Sequence, residues 1–216
     1  MNGIVLLGVL ASLAGAPRPQ DAANFTRTYT VGAKSSYVTT FSTKLLGGHS
    51  ISVDIDVSVK KLSDKGAATV LLHMSNKQTT GEGNDTTVLP DDLTYTLAAN
   101  NMPEHFAATQ HDASIFEMFL FLAGSTTDKT AKVGEEVPWS WSDGPIAFKG
   151  STKVLEISPD KKKLKALIVQ KMTFSGQEAG TFTLTSTYDL PSGSLISSDG
   201  GVEMAGIKQD LKFVRK

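Results

Sequence analysis

The sequence predicts a mainly β (α+β) fold: a curved antiparallel meander sheet, or half-open barrel, with a short helical segment packed on its concave face. Three observations carry this expectation. Apolar residues recur with period two through most of the chain, as in strands with one buried face. Short turns rich in Gly, Asp and Ser separate these runs, so successive strands pair as neighbours. One stretch, residues 101–124, breaks the pattern and is apolar on nearly every side.

In chain order, Phe25, Arg27, Tyr29 and Val31 alternate with threonines, and Gly32-Ala33-Lys34 turns the chain. Residues 37–46 continue as a strand, and Gly47-Gly48 is a hairpin signal. Ile51, Val53, Ile55, Val57 and Val59 then form a clean alternation against Ser52, Asp54, Asp56, Ser58 and Lys60. Ser63-Asp64-Lys65-Gly66 is a turn. Residues 67–74 are the next strand, and the run Val70-Leu71-Leu72 suggests cover on both faces. Residues 75–92 are polar and read as a loop or a long hairpin tip.

Residues 101–124 are the helical segment. Pro103 suits a first helical turn. Ser114 and Glu117 match a capping box, in which Ser114 caps the start and Glu117 reaches back. Gly124 stops the helix. Strands return after Lys129. Trp139 and Trp141 sit two apart on one strand face. Further strands are expected at 154–157, 164–174, 182–188, 195–196, 202–204 and 207–214, joined by short turns.

A faint internal echo accompanies this order. Val31-Gly32, four residues, then Tyr37 recurs as Val133-Gly134, four residues, then Trp139. The two readings are a duplication, with pseudo-repeat halves 25–77 and 129–216 around the helical segment, and chance reuse of common turn wording. The body of the chain, 25–216, is read as a single β-rich domain.

The first residues read as a targeting signal. Residues 4–14 form an uninterrupted apolar and small-residue run, too short to span a bilayer but right for a secretory signal. The expected signal peptide is 1–14, followed by a polar, Pro-containing leader, 15–24. Cleavage after Ala16 fits the small-x-small rule better but places Pro17 just beyond the cut. Met1-Asn2-Gly3 carries no Lys or Arg, so either the α-amino group serves alone or the true start lies upstream. The mature chain is therefore expected to be exported, periplasmic or extracellular, and soluble without stable membrane insertion. Asn24-Phe25-Thr26 and Asn84-Asp85-Thr86 are glycosylation sequons, meaningful only in a eukaryotic secretory route.

Composition narrows the function. The chain has 216 residues, 21 Lys and Arg against 22 Asp and Glu, and a net charge of −1. Its arginines are Arg18, Arg27 and Arg215. Such a balance lacks the basic stripe of a nucleic-acid binder, and no nucleic-acid partner is expected. There is no cysteine, which bars disulfides, thiolate metal sites, a Cys nucleophile and a lipid-modified Cys.

The strand at 25–31, the Val-Gly turn before an aromatic, the Gly-Gly hairpin and the Asp-Lys-Gly turn make up residues 25–74. The second Val-Gly turn before Trp139 and the turn from Asp189 to Leu195 follow. In this arrangement the chain resembles uncharacterised exported bacterial β-rich proteins, which are similar to the half-open barrels of periplasmic lipoprotein carriers and LppX-type lipid-binding lipoproteins. The likeness covers about 190 residues and is one of architecture, with no catalytic or ligand motif to carry over. It implies a curved sheet whose concave side is filled by a helix, and ligands that are acyl chains. LppX-type proteins are anchored through a lipidated Cys; this chain has none.

No catalytic constellation is visible, so the protein is expected not to be an enzyme, and no cofactor is expected. His105 and His111, with Glu104 and Asp112, are the nearest thing to a metal cluster, but their spacing of six does not share a helical face, and no metal site is expected. Ser194 follows a glycine in a turn, away from any strand-to-helix elbow. Asp54 and Asp56 lie on the wet face of a strand. Lys161, Lys162, Lys163 and Lys165 surround a hairpin tip. The candidate ligand-binding residues are Phe116, Met118, Phe119, Leu120, Phe121 and Leu122, which either fill the core or line a cavity for a lipid, an acyl chain or another apolar ligand. The function expected is a non-enzymatic binding or carrier-like module for a hydrophobic ligand or lipidated partner. The alternative is a structural or protein-interaction module of the cell envelope with a filled core.

Overall fold

The structure is a computed structural model that describes residues 22–24, 26–43, 48–81, 88–105, 114–125, 130–204 and 206–216. Its elements in chain order are β1 (Ala22–Asn24), β2 (Lys34–Thr43), β3 (His49–Leu62), β4 (Ala68–Gly81), β5 (Leu93–Leu97), α1 (Ser114–Ala123), β6 (Thr130–Lys132), β7 (Glu136–Asp143), β8 (Ile146–Ile157), β9 (Lys163–Phe174), β10 (Gln177–Asp189), β11 (Ser194–Met204) and β12 (Ile207–Arg215). β1 and β6 pair as a separate two-stranded sheet.

The other ten strands form one antiparallel sheet in the order β5-β4-β3-β2-β12-β11-β10-β9-β8-β7. This is the expected curved meander, and it is not closed into a barrel. Every hairpin joins sheet neighbours. Within this sheet the one long-range pairing is β2 with β12, where Tyr37 faces Arg215 and Phe41 faces Leu211. Joining the first and last long strands this way leaves β5 and β7, from the middle of the chain, as the two sheet edges. α1 lies in the connection between them.

Period-two patterning decides which face is buried. On β3, Ile51, Val53, Ile55, Val57 and Val59 are buried while Asp56 and Lys60 are exposed. β9 and β10 repeat this with Leu164, Ala166, Ile168 and Met172, and with Phe182, Leu184 and Tyr188. β4 also alternates: Val70 and Leu72 are buried and Leu71 is half-buried, so the strand is covered on one face, not both. Residues 75–81, read as loop from their polarity, continue β4. They pair with the start of β3, Ile51 against Thr79 and His49 against Gly81. Backbone pairing with a preformed partner overrides side-chain polarity there. β11 is likewise one strand where two short runs were expected.

The two Val-Gly turns have the same geometry. Gly32 and Gly134 both sit at φ +85°. Gly32 N–H donates to the Val59 carbonyl and Val59 N–H to the Ala33 carbonyl; Gly134 N–H donates to the Val154 carbonyl and Val154 N–H to the Glu135 carbonyl.

The helix is shorter than expected. It spans Ser114–Ala123, and residues 101–105 are not helical. Asn101 has φ +64°, and the chain turns back on itself there: Asn101 N–H bonds to the Ala98 carbonyl and Ala98 N–H to the Met102 carbonyl. Pro103 then bridges to Leu97 at the outer side of β5. Proline fits that edge because it has no N–H to leave unpaired. Gly124 ends the helix without a left-handed backbone; a Cβ there would sit 2.6 Å from the Asn101 amide nitrogen. No helix among the described residues is long and apolar enough to cross a membrane.

Candidate functional site

The concave face of the sheet and α1 together form one apolar core. On α1, Phe116, Phe119, Leu120, Phe121 and Leu122 are buried and Met118 is half-buried. Ten residues of helix apolar on nearly every side find cover only if the sheet curls around them, which is what its curvature supplies.

Aromatic rings run in series from the sheet edge into this core. Trp141 on β7 lies 5.8 Å, centroid to centroid, from Phe148 on β8. Phe148 is 6.0 Å from Phe182 on β10, and Phe182 is 5.3 Å from Phe119 on α1. Phe119 stacks on Phe41 of β2 at 6.0 Å, and Phe41 meets Phe116 edge-on at 6.5 Å. Such offset and edge contacts add about 0.5–1.5 kcal/mol each beyond area burial. Phe121 meets Tyr95 of β5 at 5.0 Å. Trp139, also on β7, is half-buried, and its indole N–H donates to Thr152 Oγ1 at 3.1 Å.

The polar groups that position this assembly are mostly tyrosine hydroxyls. Tyr95 donates to Glu117 Oε2, tying α1 to edge strand β5. Tyr188 donates to the Ala123 and Ser125 carbonyls at 2.9 and 3.0 Å, at the C-terminal end of α1. Tyr29 donates to the Ala98 carbonyl and Asn101 Oδ1, both at 3.1 Å. Burial pushes the Tyr29 hydroxyl up to about 12 and the Tyr188 hydroxyl upward too, so both remain donors. Glu117 is 1% exposed, and burial raises its carboxyl to about 8. The capping residue Ser114 has no described side chain, whereas Glu117 turns inward to the sheet.

Three more polar residues stand on the inner face. Gln170 is fully buried; its Nε2 donates weakly to the Ser151 carbonyl at 3.5 Å, and its Oε1 has no hydrogen-bond partner among the described residues. It faces Gly150 across the β8–β9 pair. Ser186 and Ser198, directly opposite on β10 and β11, share a 2.9 Å bond.

Other residues singled out from the sequence lie elsewhere. His105 Nδ1 is 3.4 Å from Asp143 Oδ1, while His111 and Asp112 fall outside the described residues. Among the described residues no group of three or more His, Asp or Glu could hold a metal. Asp54 is less solvated than expected: Lys216 Nζ at 2.6 Å and Asn76 Nδ2 at 2.7 Å both bond it, and these contacts hold its carboxyl below the usual range. These groups line a polar groove of about 550 Å³ on the outer face. Ser194 accepts from Arg215 at 3.0 Å and contacts Ser192, which donates to Asp189; among the described residues no histidine joins them. Lys161, Lys162 and Lys163 are exposed at their turn.

Tyr95, Glu117, Gln170 and the Trp141–Phe148 pair were not recognised as site residues from the sequence. Gln170 carries a usable signal: it occupies an inward position in the alternation of Leu164, Ala166, Ile168 and Met172. Tyr95 is the only aromatic of β5 and offers no comparable signal. Comparison with protein-family models and with curated proteins finds no match.

Proposed function

We propose that the chain is an exported, non-enzymatic binding or carrier-like module for a hydrophobic ligand, either a lipid or acyl chain or the lipid of a modified partner. The ligand enters at the seam between edge strands β5 and β7 and lies along α1. The observation that carries this reading is the ring series from half-buried Trp141 at the β7 edge to buried Phe119 on α1. It offers an apolar ligand continuous contact from rim to interior. Each buried methylene is worth about 0.8 kcal/mol, so a chain of about twelve methylenes brings roughly 10 kcal/mol of gross burial to set against displaced side chains. Export rests on residues 4–14, which lie outside the described residues.

A second reading is a structural or protein-interaction module with a filled core. The close packing of Phe116, Phe119 and Phe121 under Phe41, Phe182 and Tyr95 favours it.

The protein's two tryptophans both lie on β7, so their fluorescence reports on the seam. Titration with brominated fatty acid is expected to quench it, and native mass spectrometry of gently purified protein to show bound lipid. Absence of both quenching and bound lipid overturns the ligand reading in favour of the filled core.

A further inference from the structure

We infer that the outer face of the β8–β9 hairpin docks on an anionic lipid surface.

The charge of the chain is not spread evenly. Residues 146–174 carry seven lysines against Glu156 and Asp160, a net charge of +5 in a chain whose total is −1. The strands sort this charge onto one side. Phe148 and Val154 of β8 and Leu164, Ala166 and Ile168 of β9 are buried in the core. By alternation Lys149, Lys153, Lys165 and Lys171 project from the opposite face, where all four are exposed. Lys161, Lys162 and Lys163 extend the charge into the turn at the hairpin's end. That turn is held by the Lys162 and Lys163 N–H groups, which donate to Ser158 Oγ, and by a second bond from Lys162 N–H to Asp160.

The fold alone gives no reason for this concentration. Lys149 and Lys171 stand directly opposite each other, and like charges so placed destabilise a sheet. Glu178 reaches Lys171 at 3.3 Å; among the described residues no ion pair holds Lys149, Lys153 or Lys165. Glu136 faces Lys153 and Glu156 faces Lys165 in the strand register, which leaves the face with an excess of positive charge. Charge on an edge strand blocks unwanted pairing, but β8 and β9 are each paired on both sides.

The positions between the lysines point to lipid. Leu155 is 38% and Val169 37% exposed, and Leu167 is half-buried. Leu167 stands opposite Lys153, and Val169 opposite Ser151. Lysines framing exposed aliphatic side chains meet headgroups with their charge and the acyl boundary with their apolar neighbours. Binding a nucleic acid favours arginine forks and aromatic platforms, and the outer positions of these two strands hold neither. The face lies on the other side of the sheet from α1, so the inference does not depend on a ligand entering the core.

Co-sedimentation of the whole chain with vesicles tests it. Vesicles of phosphatidylglycerol and phosphatidylcholine in equal parts are expected to retain the protein at low salt, and vesicles of phosphatidylcholine alone are not. Each lysine near an anionic surface raises partitioning about fivefold, so Lys149→Gln, Lys153→Gln and Lys165→Gln combined should lower it about 100-fold. Lys34→Gln, Lys60→Gln and Lys65→Gln combined make the same change in net charge elsewhere in the chain and should lower it less than about threefold. Val169→Ser should weaken vesicle binding several-fold and leave binding to heparin unchanged. Failure to bind the anionic vesicles overturns the inference, as does equal retention by neutral vesicles or an equal loss in the two triple variants. Heparin binding without vesicle binding, or a Val169→Ser variant that binds vesicles as well as the wild type, assigns the face to a soluble polyanion and overturns the lipid surface.

Discussion

The indole N–H of Trp141, on edge strand β7, donates to the carbonyl of Pro103, which bridges to the opposite edge strand β5, at 2.8 Å. The two edges of the sheet are thus linked through a side chain where no backbone ladder joins them. His105 and Asp143 add a contact at 3.4 Å in the same seam. Trp141→Phe keeps most of the ring contact with Phe148 and removes the bond. It is expected to cost about 1 kcal/mol, the usual net worth of one hydrogen bond. Trp141→Ala should cost roughly 3–5 kcal/mol by also removing the ring. Urea denaturation of both variants checks the order: a Trp141→Phe variant as stable as the wild type would remove the bond from the account, and equal costs would remove the ring.

Tyr188 and Tyr37 are both buried tyrosines, but their hydroxyls differ in what they hold. Tyr188 shares its proton between two carbonyls at the end of α1, whereas Tyr37 reaches the Leu195 carbonyl at 3.4 Å. Removing the Tyr188 hydroxyl strips a donor from two carbonyls beside a fully buried ring, at a cost of about 1–3 kcal/mol. Tyr37→Phe gives up a long, weak bond and should cost about 0.5 kcal/mol or less. Thermal or chemical denaturation of the two Phe variants is expected to rank Tyr188→Phe well below Tyr37→Phe in stability.

Much of this architecture is legible because it is periodic. The alternation on β3, β9 and β10 exposes the buried face directly, and the all-round apolar run 118–122 announces a helix that must be covered. What is not legible is non-local or conformational. The β2–β12 pairing joins strands far apart in the chain and leaves no local trace. The polar end of β4 reads as loop because its order comes from β3. The turn at Asn101 needs a left-handed asparagine, which the sequence does not distinguish from a helical one. The candidate ligand residues of α1 were visible as a cluster, but their partners, Tyr95, Tyr188 and Phe182, come from strands that only the folded sheet brings round them.

Glu117 makes stability depend on pH with a definite sign. Its folded-state carboxyl titrates at about 8, against 4.5 when exposed. Between those values the native state binds more protons than the unfolded state. Stability from this group is therefore fully present below about pH 4.5 and is lost as pH rises through 8, by up to about 1.4 kcal/mol per pH unit. Glu117→Gln keeps the shape and removes the titration. Wild type minus variant stability, measured by denaturant unfolding from pH 5 to 9, is expected to fall steadily with pH. A flat difference would mean that the carboxyl is solvated in the folded protein.

The equivalent turns at Gly32 and Gly134 give a comparison internal to the chain. Both glycines have φ +85°, and neither has an atom within 4 Å of where a Cβ would stand. Alanine at either site meets only backbone strain, so Gly32→Ala and Gly134→Ala should each cost about 1 kcal/mol, and by similar amounts. Gly150 is the contrast. Its backbone is ordinary, but a Cβ there collides with the Val169 carbonyl and lies 2.7 Å from Gln170 Oε1. The strand pair must separate to admit it, which breaks ladder bonds at the centre of the inner face. Gly150→Ala is expected to cost more than twice as much as either turn variant. Denaturation midpoints of the three alanine variants decide it: unequal costs at Gly32 and Gly134 mean the two turns are strained differently, and a mild Gly150→Ala means that Gln170 can swing away from the glycine and the strands can yield.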